Sequence, residues 1–333
     1  MRMRSNLPLS TVSILTYHHV ADHDPTYPYD PEVADATPAQ FRWQMEALAK
    51  YCTPIGIDDL LKSLDDGTEL PRNAVVVTFD DGYQSCHDIA LPILRAVGIR
   101  ATFFIATNYV TERRLYWWER VSLILNQAKR AGRVTYPHTL DLAPRNPRSK
   151  RLVLDTIKAA PSLDLDRFLQ GVADALGVPW SPEAEAEYAN GLIMSWDQIR
   201  ALSRAGMDIE SHTRTHRVLQ TLDDDALTSE LTGSREDLES HLGRPVRAVA
   251  YPGGRRIGPG MERIRRAIAA AGYKIGLSNA SGVNRIWSGS LNELAPVDRY
   301  DVRRLSLDRS MSDAMFLAQI ALPPLAYYGR HAD

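Results

Sequence analysis

The stretch VVVTFDDGYQS, Val75 to Ser85, decides how the rest of the chain is read. An almost wholly apolar, β-branched run of this kind fills a buried parallel strand. Here it ends abruptly in two adjacent carboxylates, Asp80 and Asp81, followed by Gly82. Two like charges a few Å apart raise each other's pKa, so the pair destabilises the fold unless a cation or a hydrogen-bond network takes it up.

Working outward, Val12–Tyr17 reads as an earlier buried strand. It is followed by a polar loop, Asp22 to Thr37, of a length that usually signals function. Thr37 and Pro38 then look like the cap and first residue of a helix carrying Phe41, Met45, Leu48 and Ala49 on one face. After Gly82 the chain runs through a helix ending at Gly98 into an apolar strand, Ala101–Ala106, which makes a βαβ unit and calls for parallel pairing. Residues 107–190 break the rhythm and read as a mostly helical insertion. From Ser195 strands and helices alternate again, through MDIESH, VRAVAYPGG and YKIGLSN to the late extended piece LAPVDRYDV and a last helix, MSDAMFLAQIAL. About seven strands alternating with helices predict an α/β barrel or a doubly wound sheet. In either, functional groups gather at the carboxyl ends of strands.

Composition narrows the class. At 333 residues, 44% of them apolar, the chain reads as an ordinary globular protein, and a net charge of −2 favours neither a nucleic-acid platform nor an acidic tail. Cys52 and Cys86 cannot make a disulfide framework and read as core residues. MRMRSNLPLS resembles the start of a signal peptide, but Asn6, Pro8 and Ser10 interrupt it and no small-residue cleavage site follows, so it reads as leading into the first strand. No apolar run is long enough for a membrane span, and a cytoplasmic location is expected unless the start lies further upstream.

Three strand ends carry polar clusters. Asp80 and Asp81 are the first. In the second, SHTRTH, His212 and His216 stand four residues apart, and a helical turn there would put both imidazoles on one side, as for a shared metal. The third is YPGG, Tyr251–Gly254, whose flexible backbone can approach a ligand closely. Singly, an Asp pair is usually a cap or turn and HxxxH an exposed helix face. Together at successive strand ends, two His and a carboxylate suit a Zn²⁺ ion with a position left for water.

TFDDGY, SHTRTH and AYPGG, in that order, resemble the first three motifs of the polysaccharide deacetylases, the NodB-homology group or carbohydrate esterase family 4. The likeness covers roughly residues 11–106 and 191–305. It implies a distorted (β/α) barrel, a single catalytic domain over 11–325 with the 107–190 insertion inside it, and metal-dependent removal of N-acetyl groups from sugars. It further implies Asp80 as general base and Asp81, His212 and His216 as ligands of a divalent metal, Zn²⁺ first, with Co²⁺ or Ni²⁺ as alternatives. Gly253 matches the oxyanion position, with Tyr251, Pro252 and Thr213 beside substrate.

Two departures stand out. The chain has no histidine in a late LxH motif, but TYHHV is similar to the YHxV strand end of the poly-N-acetylglucosamine deacetylase branch, which implies His18 as general acid. His19 is left without a role. The third motif has Ala250 where the family often has an arginine, and Arg299 in PVDRYDV resembles the branch's late arginine that would orient Asp80.

Tyr116, Trp117 and Trp118 head the insertion, whose Arg and Lys are many. They read as packing on the barrel, with a substrate-specific lid as the alternative. The resemblance as a whole implies an N-acetylated glycan as substrate and involves no nucleic acid. The alternatives are a deacetylase or amidase of a small non-polymeric substrate, and a glycan-binding module without catalysis.

Overall fold

The computed structural model describes residues 11–22, 27–282, 284–285 and 297–321. The signal-peptide-like residues 1–10, part of the polar loop (23–26) and the start of LAPVDRYDV (294–296) lie outside these.

Six parallel strands make the body of one sheet: β1 (Thr11–Tyr17), β2 (Ala74–Phe79), β3 (Ala101–Ile105), β4 (Asp208–Ser211), β5 (Ala248–Ala250) and β6 (Ile275–Ser278). Their order in the sheet is their order in the chain, the arrangement expected of βαβ units with right-handed crossovers. Two short strands on either side of one residue close it: β7 (Val302–Arg303) pairs with β6, and β8 (Leu305–Ser306) pairs with β1. Arg304 lies at the crossing. The sheet is therefore a nearly closed barrel rather than a doubly wound sheet, and about seven strands was the right expectation. Thr53–Pro54 pairs parallel with β2, and Asn284–Arg285 pairs antiparallel with β1.

The two faces of β2 separate by parity, as strand geometry requires. Ala74 and Val76 pack in one cluster with Val12, Ile14, Phe104, Ala248, Leu277 and Val302, contributed from around the barrel. Val75, Val77 and Phe79 pack outward with the helices. On that outer face Phe79 stacks on Phe103 of β3 with centroids 4.8 Å apart and on Tyr17 of β1 at 5.4 Å. Asp80 continues the even, inward series, so the strand that buries the valines also aims this carboxylate at the barrel interior.

Helix ends follow local chemistry. Thr37 caps Pro38–Tyr51 and Ser195 caps Trp196–Arg204, each in a reciprocal capping box with Gln40 or Gln198. The segment after β3 holds the helices Thr107–Glu112, Trp117–Gln127, Pro147–Ala159, Leu165–Leu176 and Pro182–Leu192, with the hairpin Gly132–Val134/Leu140–Leu142 between the second and third. Cys86 is buried as expected of a core thiol. Among the described residues no helix is long and apolar enough to cross a membrane.

One close approach shows how tightly β5 and β6 are joined at the site end. A Cβ on Gly276 would lie 1.7 Å from the Tyr251 hydroxyl, which donates to the Tyr300 carbonyl at 2.9 Å. Gly276→Ala is therefore expected to cost about 1–3 kcal/mol through overpacking. Urea unfolding against the wild type checks this.

Candidate active site

Every polar cluster singled out in the sequence lies at the carboxyl end of a barrel strand. His18 follows β1, Asp80 and Asp81 follow β2, His212 follows β4, and Tyr251–Gly254 follows β5. At Asp81 the backbone leaves the strand with φ 72° and Gly82 follows at 106°, while the Ala106 N–H donates to the Asp81 carbonyl at 3.1 Å. A left-handed aspartate is sparsely populated and costs on the order of 1 kcal/mol, so the surrounding bonds must hold it. The turn splits the pair: Asp80 stays in the barrel and Asp81 points at the histidines.

The histidine segment is not the helical turn that its spacing suggested. Residues 212–218 form a loop in which Thr213 (φ 65°) and His216 (φ 53°) are both left-handed. The two rings nevertheless converge, 4.6 Å between centroids and 71° between planes. His212 Nδ1 lies 2.9 Å from the Ala250 carbonyl. Because a carbonyl can only accept, that nitrogen carries a proton, and Nε2 is the ring nitrogen that faces Asp81.

Asp81, His212 and His216 each offer one ligand atom, all within 4.8 Å of one another. Asp81 Oδ1 lies 3.4 Å from His212 Nε2 and 3.5 Å from His216 Nε2. This oxygen is buried and accepts no hydrogen bond among the described residues. Burial, reinforced by His212, pushes the His216 imidazole down to about 3, so it stays neutral. Burial alone would raise the Asp81 carboxyl, but His212 and His216 beside it bring it below its ordinary value. Two imidazole nitrogens facing an ionised carboxylate oxygen that accepts no hydrogen bond among the described residues fit a divalent ion bound by two nitrogens and one oxygen, with open positions.

Asp80 is held by a residue that sequence reasoning missed. Arg304 Nη1 and Nη2 donate to Asp80 Oδ1 and Oδ2 at 2.7 Å each, and both side chains are buried. Burial pulls the Asp80 carboxyl up, yet the Arg304 guanidinium and the nearby His212 hold it well below the usual carboxylate range. The expected partner, Arg299, sits elsewhere: its guanidinium donates to Asp65 at 2.6 Å and to the Leu64 carbonyl. Three arginines lie within six residues, and only barrel closure selects the one that points inward. The sequence shows only the adjacent pair Arg303 and Arg304 between Val302 and Leu305, with nothing local to say which of them points inward.

His18 is also held by a missed partner. Asp35 Oδ2 accepts from the His18 backbone N–H and lies 3.1 Å from His18 Nδ1. Burial works against the charged ring, but the Asp35 carboxylate, helped by Asp81 and Asp80, pushes its pKa up to about 10. The length of the loop after β1 flagged its importance, but nothing in it singled out Asp35. His19 turns away, with Nδ1 2.7 Å from Ser85 Oγ, and burial lowers its pKa to about 4.

At the third motif, Gly253 stands at φ 66° in the turn after Tyr251, with Pro252 buried beside it. Ala250, where the family often has an arginine, supplies the carbonyl that orients His212. Thr213 is fully buried, its hydroxyl unpartnered among the described residues and its carbonyl accepting from Thr107 N–H at 3.1 Å. Tyr116, Trp117 and Trp118 are buried too, so they do not form an open sugar platform.

The family model for polysaccharide deacetylase matches residues 67–162 and 178–276, more than half of the chain. The chain therefore belongs to the polysaccharide deacetylase family, which makes it a hydrolase of non-peptide carbon–nitrogen bonds. It is 27% identical over 207 residues, 58% of its length, to the poly-β-1,6-N-acetyl-D-glucosamine N-deacetylase of Staphylococcus epidermidis, of which it covers 69%. The Escherichia coli K12 protein of the same description is 34% identical over 82 residues, which are 25% of this chain but only 12% of that one. Among solved structures, the Streptococcus pyogenes deacetylase PplD in complex with acetate superposes with a TM-score of 0.61 at 17% identity, over 94% of this chain and 98% of that one. IcaB from Ammonifex degensii gives 0.55 at 18% identity, over 94% and 96%. At such identities the structural likeness concerns the fold, a distorted (β/α) barrel.

Two outcomes follow for the charged pairs. Arg304→Met leaves Asp80 buried without its counter-charge and is expected to cost about 3–5 kcal/mol, whereas Arg299→Ala stays within about 0.5 kcal/mol; urea unfolding of both variants decides between the two arginines. The raised pKa of His18 favours its charged form up to about 10, so removing the partner that raises it must move the titration down. In Asp35→Asn, the His18 resonance followed by NMR is expected to titrate at least about one pH unit lower than in the wild type.

Proposed function

We propose that the chain is a metal-dependent N-deacetylase that hydrolyses the acetamide of N-acetylglucosamine-type units in a polysaccharide or its precursor, with 11–325 acting as one catalytic domain. The observation that carries this reading is the opposite charge setting of two groups around one donor set. Arg304 holds Asp80 ionised, and Asp35 holds His18 protonated, on the strand ends that also bear Asp81, His212 and His216. A base and an acid with pKa values driven apart are what amide hydrolysis needs.

A divalent ion held by Asp81, His212 and His216, Zn²⁺ in the first place, would polarise the acetamide carbonyl and lower the pKa of the attacking water. Asp80, unable to leave its Arg304 clamp, accepts the proton of that water. The carbon–nitrogen bond breaks as His18 gives its proton to the leaving amine, so the products are acetate and a free amino sugar. The Gly253 backbone N–H would face the developing oxyanion. The sugar is inferred from the curated relatives, whose descriptions specify poly-β-1,6-N-acetyl-D-glucosamine. A non-catalytic glycan-binding module is disfavoured, because the functions attributed to the missing arginine and late histidine have candidates in Arg304 and His18.

Acetate release from β-1,6-linked N-acetylglucosamine oligomers, with Zn²⁺ or Co²⁺ added, tests the reading. Wild type is expected to bind one equivalent of metal and release acetate. Asp80→Asn should keep the metal and lose at least about 100-fold in rate, and His212→Ala should lose the metal. Full turnover in Asp80→Asn, or release only from monosaccharides, would overturn the base or the polymeric substrate respectively.

A further inference from the structure

The head of the insertion touches the metal-facing loops from behind. Trp117 Nε1–H donates to the His216 carbonyl at 3.2 Å, and the Trp118 ring lies against the His216 imidazole, centroids 4.5 Å apart. Tyr116 stacks on Trp118 at 4.8 Å and 2°. Trp118 Nε1–H donates to the Tyr83 hydroxyl at 2.7 Å, and Tyr83 lies two residues past Asp81. The Tyr83 hydroxyl donates in turn to Glu119 Oε1 at 2.5 Å. Glu119 Oε2 accepts the Asp30 backbone N–H at 2.6 Å, on the loop that carries Asp35 to His18.

Three consecutive residues, Trp117–Glu119, thus meet the His216 loop, the Asp81 turn and the loop that holds the general-acid candidate. Glu119 has no exposed surface. Burying a carboxylate is unfavourable unless it is hydrogen-bonded, and this one spends both oxygens on the two loops. The loops need such a hold, because Asp81 and His216 keep left-handed backbone that neither residue favours.

We propose that Glu119, acting through the Tyr83 hydroxyl and with Trp118, is a positioning residue that fixes the Asp81 turn against His216 and so sets the geometry and affinity of the metal site. The insertion then serves as the rear wall of the catalytic centre. This inference rests on the metal-site reading above. Partners that orient a metal's ligands are commonly worth about 10–100-fold in metal affinity.

Tyr83→Phe removes one hydroxyl and keeps the ring, so the fold is retained and the link between Trp118 and Glu119 is cut. Glu119→Gln keeps the shape but turns one acceptor into a donor. Co²⁺ affinity by competition with a chromophoric chelator, and the visible absorption of bound Co²⁺, are read in wild type, both single variants and the double variant, together with urea unfolding. The expected result is an affinity loss of about tenfold or more in each single variant, an altered Co²⁺ spectrum, and a double variant no weaker than the worse single one. If both singles bind Co²⁺ as wild type does with an unchanged spectrum and lose only stability, Glu119 is a packing residue and the proposal falls. Independent, additive losses in the double variant overturn it as well. Failure of the wild type itself to bind Co²⁺ would overturn both the metal-site reading and this inference, an outcome separate from the other two.

Discussion

The Asp80–Arg304 ion pair is the interaction on which the rest of the structure depends. Arg304 sits where the chain passes from pairing with β6 to pairing with β1, so it marks the closure of the barrel. Its guanidinium reaches the end of β2 and takes both oxygens of a carboxylate that the strand's parity forces inward. A buried charge without a partner is strongly unfavourable, and a bidentate guanidinium is the geometry that best meets a carboxylate. Barrel closure and the charge state of the catalytic-base candidate are thereby one event.

The same economy recurs at the other ionisable groups. Each is paired with a residue on a different segment: His18 with Asp35, His212 with the carbonyl of Ala250, Glu119 with Tyr83 and Asp30. Asp81 Oδ1 is different: it is buried, accepts no hydrogen bond among the described residues, and faces two imidazoles. A buried carboxylate oxygen that faces two imidazole nitrogens and has no hydrogen-bond donor is a donor set that a divalent cation would fit.

The arrangement also explains departures from the family pattern. Ala250 cannot orient Asp80, but a small residue there leaves its carbonyl open to His212, and the guanidinium comes instead from the closing strand. The acid candidate comes from β1 rather than from late in the chain. In each case a side chain of the same type reaches the site from a different strand end, which a barrel permits because all strand ends open on one face.

Sequence alone determined the strand ending in Asp80 and Asp81 and the alternation that calls for a parallel sheet, since these follow from local periodicity. It offered His212, His216 and one carboxylate as a donor set, whereas the barrel and the different roles of Asp80 and Asp81 were implied by the family resemblance. It placed the histidines on a helical turn, and the structure puts them on a loop with two left-handed residues, held by the Glu230 carboxylate on the Arg214 and Thr215 N–H groups and by Trp117 on the His216 carbonyl. It offered Arg299 to orient Asp80, and a closure step with no local signature put Arg304 there instead. Asp35 and Glu119 were illegible for the same reason: a carboxylate acquires its partner across 17 residues in one case and 36 in the other. Local sequence specifies which face a side chain takes along its own strand, whereas the partner that sets its charge is fixed only when distant segments meet in the closed barrel.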